Sequence, residues 1–187
     1  MEKASSKLLV VDDEAVSREL LARRLLRSGY QVEVAADGRQ ALEVLEREKV
    51  DLVLLDSMMA GLSGIDLLRL LRATHDPADL PVIMVTSLTD SSKVVEALSC
   101  GANDYVTKPV DFPVAVARIE SQLARKAAQQ TLKLSEQRYS LAAQGSREGL
   151  WDWDLASGQV YYSPMWKSML GYGEEEIGSS PEEWLGR

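Results

Sequence analysis

From residue 7 to about residue 128, short apolar runs alternate with longer stretches of helical period. The runs at 8–11 (LLVV), 31–35 (QVEVA), 51–55 (DLVLL), 81–85 (PVIMV) and 104–106 (DYV) predict five strands. The stretches between them predict helices, which together is the βα repetition of a parallel sheet. The first, third and fourth runs are almost wholly apolar, as expected where helices cover both faces of the sheet. Gly29 and Gly101 stand where a left-handed residue closes a helix. Asp37 precedes Gln40 by three positions and Ser63 precedes Asp66 by three, the spacing of capped helix starts.

Pro113 suits a helix beginning, and no proline or glycine interrupts residues 114–141, so one long helix is predicted there. Val116, Ile119 and Leu123 follow a 3,4 spacing, which Ala127, Leu134 and Leu141 continue after a shift of phase. Gln130, Thr131 and Arg138 interrupt that seam, leaving two readings open: pairing with a second copy, or a solvated connector. Beyond Gly145 the composition changes, and all four tryptophans (Trp151, Trp153, Trp166 and Trp184) fall there. Residues 150–154 alternate as a half-buried strand, 156–158 read as a turn and 160–162 as a second strand, predicting a hairpin. Ser163 and Pro164 suit a helix cap and first position, with Gly171 as the stop.

Composition narrows the class. Across 187 residues, 45% hydrophobic and 27% charged is the balance of a folded globular protein. The net charge of -8 disfavours direct contact with nucleic acid. The single cysteine, Cys100, excludes an internal disulfide and a cysteine-based zinc site within one chain. No apolar stretch approaches the roughly 20 residues of a membrane span, and residues 1–7 are too polar for a signal peptide's apolar segment, so a cytoplasmic location is expected.

In an open parallel sheet, functional groups collect at the carboxyl ends of the strands. Asp12 and Asp13 follow the first run, Asp56 the third, Thr86 the fourth, and Lys108 lies just past the fifth. An acidic pair after a strand is common on surfaces, but the joint placement of all these groups is not. Three carboxylates at one edge repel, and a hard divalent cation with oxygen ligands, Mg²⁺, is the expected neutraliser. With that cation and the Lys108 ammonium gripping a phosphoryl group, Asp56 would attack phosphorus and become an acyl phosphate, with the Thr86 hydroxyl donating to an oxygen. His75, the only histidine, sits in a polar stretch and reads as inert, so these residues hold no histidine-kinase chemistry. Cys100 reads as a packing residue, and the aromatic residues of the last segment as core rather than as a cofactor site.

The segments VVDDE, LLDSMMAGLSG, VTS and YVTKP, in that order, resemble the receiver domain of two-component response regulators over about residues 6–125. The resemblance implies a flavodoxin-like, doubly wound α/β fold with a parallel five-stranded sheet of order 2-1-3-4-5. It also implies phosphorylation at Asp56, metal ligation by Asp13, Asp56 and the Met58 backbone carbonyl, and Asp12 acting through a metal-bound water. Thr86 and Tyr105 match a pair that rearranges on phosphorylation, and Lys108-Pro109 a peptide bond that is usually cis in the family. The donor implied is a histidine kinase or phosphotransfer protein; a homodimer through the long helix stays one of the two readings of its seam. The chain departs from the family at Ala60, where proline is frequent, at Ser63, where an aspartate is often near, and at Ser87; Ala60 and Ser63 are expected not to touch the phosphate.

From about Ser135 the chain resembles the opening of a PAS domain, an α+β fold that needs three further strands, so the segment reads as a truncated one. The implied organisation is a receiver domain at 1–125, a helical linker at 126–143 and a PAS-like segment at 144–187, with any effector outside them. The rival reading is a Mg²⁺-dependent phosphatase working through an aspartyl phosphate, as in haloacid-dehalogenase-like enzymes. Those resemble a D-x-D pattern with the nucleophile after the first strand, whereas here Asp12 and Asp13 are adjacent and Asp56 follows the third.

Overall fold

The apolar runs become the strands of one parallel sheet in the computed structural model, which describes residues 6–87, 91–145 and 149–182. These strands are β1 (Lys7–Val11), β2 (Gln31–Ala35), β3 (Leu52–Asp56), β4 (Val82–Ser87) and β5 (Asp104–Lys108), in the order β2-β1-β3-β4-β5. Side chains alternate across a strand, so each central strand feeds two cores. Leu9, Val11, Val53, Leu55 and Met84 face one, with Ala41, Val44, Leu67, Leu68 and Leu71 from α2 (Gly38–Arg47) and α3 (Gly64–Arg72), and Ala97 from α4 (Ser91–Ser99). Leu8, Val10, Leu52, Leu54, Ile83 and Val85 face the other, with Leu25 from α1 (Ala15–Arg27) and Ala115, Ile119 and Leu123 from α5 (Phe112–Gly145). Each fully buried leucine of these layers contributes on the order of 2 kcal/mol of hydrophobic stabilisation.

The helix starts use the expected chemistry. The Asp37 carboxylate accepts the Gln40 N–H at 2.8 Å, and the Gln40 side chain reaches back to accept the Ala36 N–H at 3.0 Å. Ser63 Oγ accepts the Asp66 N–H at 3.2 Å. Gly29 and Gly101 take positive φ beyond α1 and α4, as a closing glycine should.

The strand boundaries differ from the sequence reading in one respect that matters. Asp56, Thr86 and Lys108 are not residues after the strands but belong to their last turns of pairing, because the parallel register continues through Asp56↔Val85, Thr86↔Thr107 and Ser87↔Lys108. They are therefore held by the sheet ladder rather than by loops. Conversely, β3 and β4 begin one residue later than expected, at Leu52 and Val82.

By contact, the chain divides into two compact units, Met1–Gln129 and Gln130–Arg187, and α5 runs from one into the other over 34 residues. In the second unit β6 (Trp151–Asp154) pairs antiparallel with β7 (Gln159–Tyr162), and α6 (Pro164–Met169) follows, capped by Ser163 Oγ on the Trp166 N–H at 3.2 Å. Gly171 closes it at φ 84°.

One expectation fails here: the first strand of the hairpin is not half-buried, since all of Trp151–Asp154 is exposed. Among the described residues only β7 has a layer beneath it, Val160 and Tyr162 packing with Ile177, Trp166 and Tyr172. The aromatic residues thus divide, with Tyr162 and Trp166 in the small core, ring centroids 4.4 Å apart, while Trp151, Trp153 and Tyr161 lie on the surface. Trp184 lies outside the described residues.

Candidate functional site

Two neighbouring strand ends deliver the three carboxylates, Asp12 and Asp13 just past β1 and Asp56 as the last residue of β3. Asp12 and Asp56 are buried, at 6% and 4% exposure, while Asp13 is exposed. One carboxylate oxygen from each lies within 4.8 Å of the others. Lys108, at the end of β5, crosses to them: its Nζ donates to Asp12 Oδ2 at 2.9 Å and to Asp56 Oδ2 at 2.7 Å.

Each carboxylate also holds one backbone donor. Asp12 Oδ1 accepts the Glu14 N–H at 2.8 Å and Asp56 Oδ1 the Met58 N–H at 3.1 Å, both from two residues ahead. Asp13 Oδ2 accepts the Ala60 N–H at 2.9 Å, from the loop after β3. Arg18 on α1 donates to the Asp12 carbonyl at 2.5 Å.

Burial pushes the Asp56 carboxyl up from its ordinary value, and the hydrogen bonds from Lys108 and Met58 offset that only in part. Burial acts to lower Lys108, but its hydrogen bonds to Asp56 and Asp12 outweigh burial and raise it. Both groups therefore favour the protonated form relative to water.

Three carboxylates against one ammonium leave the cluster with two formal negative charges, and a divalent cation balances them. The ligand oxygens lie within 4.8 Å of one another, close enough for one hydrated cation to engage them directly or through its waters. A second feature is Thr86, whose hydroxyl is buried and has no hydrogen-bond partner among the described residues. Buried hydroxyls are normally satisfied, so this one has donor capacity to spare.

Tyr105 lies on β5 opposite Met84, half-buried, with the Arg118 guanidinium 5.2 Å from its ring centre. Met58 has an exposed side chain. The Lys108-Pro109 peptide bond is cis.

The sequence reading missed three contributors to the site. Ala60, a departure expected not to touch the phosphate, supplies a donor to Asp13, which its methyl side chain does not advertise. Gly64 lets α3 close onto the end of β3, where a Cβ would stand 1.9 Å from the Asp56 carbonyl oxygen. Its place eight residues after Asp56 is a usable signal, because a glycine at a helix start often marks close backbone approach. Arg18 acts through the Asp12 backbone, which residue type alone does not reveal.

Residues 8–120 match the family described as Response regulator receiver domain. Response regulator MprA of Mycolicibacterium vanbaalenii is 42% identical over 119 residues, which are 64% of this chain and 51% of that protein. DNA-binding response regulator MtrA of Mycobacterium tuberculosis is 41% identical over 125 residues, 67% of this chain and 54% of the relative. The chain spans about half the length of the curated relatives it matches. Among solved structures, the receiver domain of the TMAO respiratory system response regulator TorR aligns with a TM-score of 0.60 at 33% identity, over 64% of this chain and 98% of that one. The receiver domain of NtrX from Brucella abortus aligns with a TM-score of 0.59 at 32% identity, over 63% and 98%.

Proposed function

The chain belongs to the response regulator receiver domain family, and from that premise we propose that Asp56 accepts a phosphoryl group from a phosphohistidine on a histidine kinase or phosphotransfer protein. The observation that carries this is the Lys108 ammonium bridging the buried carboxylates of Asp12 and Asp56, with Asp13 beside them. An Asp56 oxygen forms the new O–P bond while the P–N bond of the donor breaks and its electron pair returns to the imidazole nitrogen.

Lys108 is within reach of the incoming phosphoryl oxygens, and the Thr86 hydroxyl, without a partner among the described residues, gains an acceptor in one of them. Mg²⁺, held by Asp13, Asp56 and the Met58 carbonyl, with Asp12 acting through water, would neutralise charge between the attacking carboxylate and the phosphoryl group. Burial raises the free energy of the charged Asp56 relative to its neutral form, and the Lys108 ammonium and the cation would offset that cost for the carboxylate and for the phosphoryl group.

Thr86 and Tyr105 act as the switch: the threonine turns to the phosphoryl group and the half-buried tyrosine repositions against Arg118. We read residues 1–125 as the receiver domain, 126–143 as a helical linker and 144–187 as a PAS-like segment. The hairpin, the capped α6 and the uninterrupted α5 support that reading. Leu132, Leu134 and Leu141 are exposed on α5 and suit a homodimer through that helix. Among the described residues no helix is long and apolar enough to cross a membrane, and with the family assignment this supports a cytoplasmic signalling protein. An output domain outside these residues would receive the signal; relatives described as DNA-binding make that one output class, although the net charge of -8 argues against nucleic-acid contact by this segment.

The test is to incubate the chain with acetyl phosphate and Mg²⁺ and follow intact mass. One phosphoryl group per chain is expected, lost with a chelator and absent in Asp56→Asn. Many turnovers of a phosphomonoester would instead establish a phosphatase, and phosphorylation of Asp56→Asn would place the acceptor elsewhere.

A further inference from the structure

The three carboxylates are not held alike. Asp12 and Asp56 are buried, each gripped by Lys108 and by an N–H from two residues ahead on its own loop. Asp13 is exposed, receives no ammonium among the described residues, and accepts a hydrogen bond from Ala60, 47 residues away. A solvent-exposed aspartate with no such tie samples several rotamers, and ordering it on ligand binding costs free energy.

The Ala60 N–H lies two residues beyond Met58, on the same loop, and the next residue is Gly61 at φ 81°. The single bond therefore ties the loop after β1 to the loop after β3. A carboxylate oxygen has two lone pairs, so accepting this N–H leaves Asp13 free to ligate.

We infer that the Ala60 backbone N–H is a positioning donor that pre-orients Asp13 for a divalent cation, and that the cation affinity of this site depends on residue 60 having an N–H. The inference rests on the proposed role of Asp13 as a ligand. Proline at this position has no N–H and cannot make the bond, whereas glycine keeps it. An exposed charge-assisted bond and one ordered side chain together account for about a 3–10-fold change in affinity.

The experiment uses the full chain. In the metal-free protein, amide exchange at Ala60 is followed by NMR: slow exchange in the wild type that becomes fast in Asp13→Ala is expected. Equally fast exchange in both overturns the inference. Mg²⁺ is then titrated calorimetrically. Ala60→Pro should bind about 3–10-fold more weakly, Ala60→Gly like the wild type, and Ala60→Pro should add no further loss in an Asp13→Ala background.

Wild-type affinity in Ala60→Pro, or equal losses in the proline and glycine variants, overturns the inference alone. No Mg²⁺ binding by the wild type overturns the reading of the site and this inference with it. Should Ala60→Pro fail to fold, the exchange comparison decides.

Discussion

Gly64 and Gly38 occupy the same place in two helices, the first position after a capping Ser63 or Asp37, so substituting alanine at each isolates what the new methyl meets. Neither glycine has a positive φ, so backbone preference does not oppose alanine at either. At Gly38 the Cβ would come 2.6 Å from Leu62 Cδ2, the far end of a side chain that can rotate away. At Gly64 it would come 1.9 Å from the Asp56 carbonyl oxygen, 2.8 Å from its carbon and 2.9 Å from Ser57 Cα, all backbone of the strand end carrying the acceptor.

A carbon needs well over 3 Å from such atoms, so α3 and β3 must separate by roughly 1 Å. Overpacking against unyielding atoms costs about 3 kcal/mol or more, which at about 3 °C per kcal/mol lowers the melting temperature by roughly 10 °C. Gly38→Ala should stay within about 1 kcal/mol of the wild type. Thermal denaturation followed by circular dichroism reads the stability, and phosphoryl incorporation from acetyl phosphate reads the site. Gly64→Ala should lose both, because the same displacement moves the Asp56 backbone. A Gly64→Ala protein melting and phosphorylating like the wild type would refute the reasoning.

Further outcomes follow from the charges. Burial holds the Asp56 carboxyl above 3.8, its ordinary value, so the folded state binds that proton more tightly than the unfolded state. The sign is then that ionising Asp56 costs stability as pH rises through the folded value. Without Mg²⁺, Asp56→Asn should be the more stable protein at pH 7, with its advantage shrinking as pH falls toward 4; urea unfolding that finds it less stable at neutral pH contradicts this. Lys108→Met leaves the Asp12 and Asp56 carboxylates without their ammonium and should cost about 2–3 kcal/mol in chelator; added Mg²⁺ should close most of the gap, and a gap indifferent to Mg²⁺ counts against cation binding there. Arg72 donates to the carbonyls of Gly101, Leu80 and His75 and to the Asn103 side chain. Lysine cannot fork in this way, so Arg72→Lys should lower stability by about 2 kcal/mol while phosphorylation persists; an unchanged melting temperature would show that these bonds contribute little.

Periodicity and strand-end chemistry were legible in the residues because both are local. LLVV, DLVLL and PVIMV can only be buried strands in a βα alternation, and once the sheet is parallel, Asp12, Asp56, Thr86 and Lys108 necessarily arrive at one edge. The caps at Asp37, Ser63 and Ser163 were equally readable, each being a contact over three residues.

What only the tertiary structure decided were relations between distant segments. It determined that Lys108 bridges Asp12 and Asp56 rather than Asp13, that Ala60 offers its N–H to Asp13, and that Gly64 abuts the Asp56 carbonyl. It also decided that Trp151 and Trp153 lie exposed, since whether an alternating strand is half-buried depends on a layer packing against it. Backbone donors carry no residue signature, and ångström-scale fit depends on how whole elements pack, so neither is written in the identity of any one amino acid.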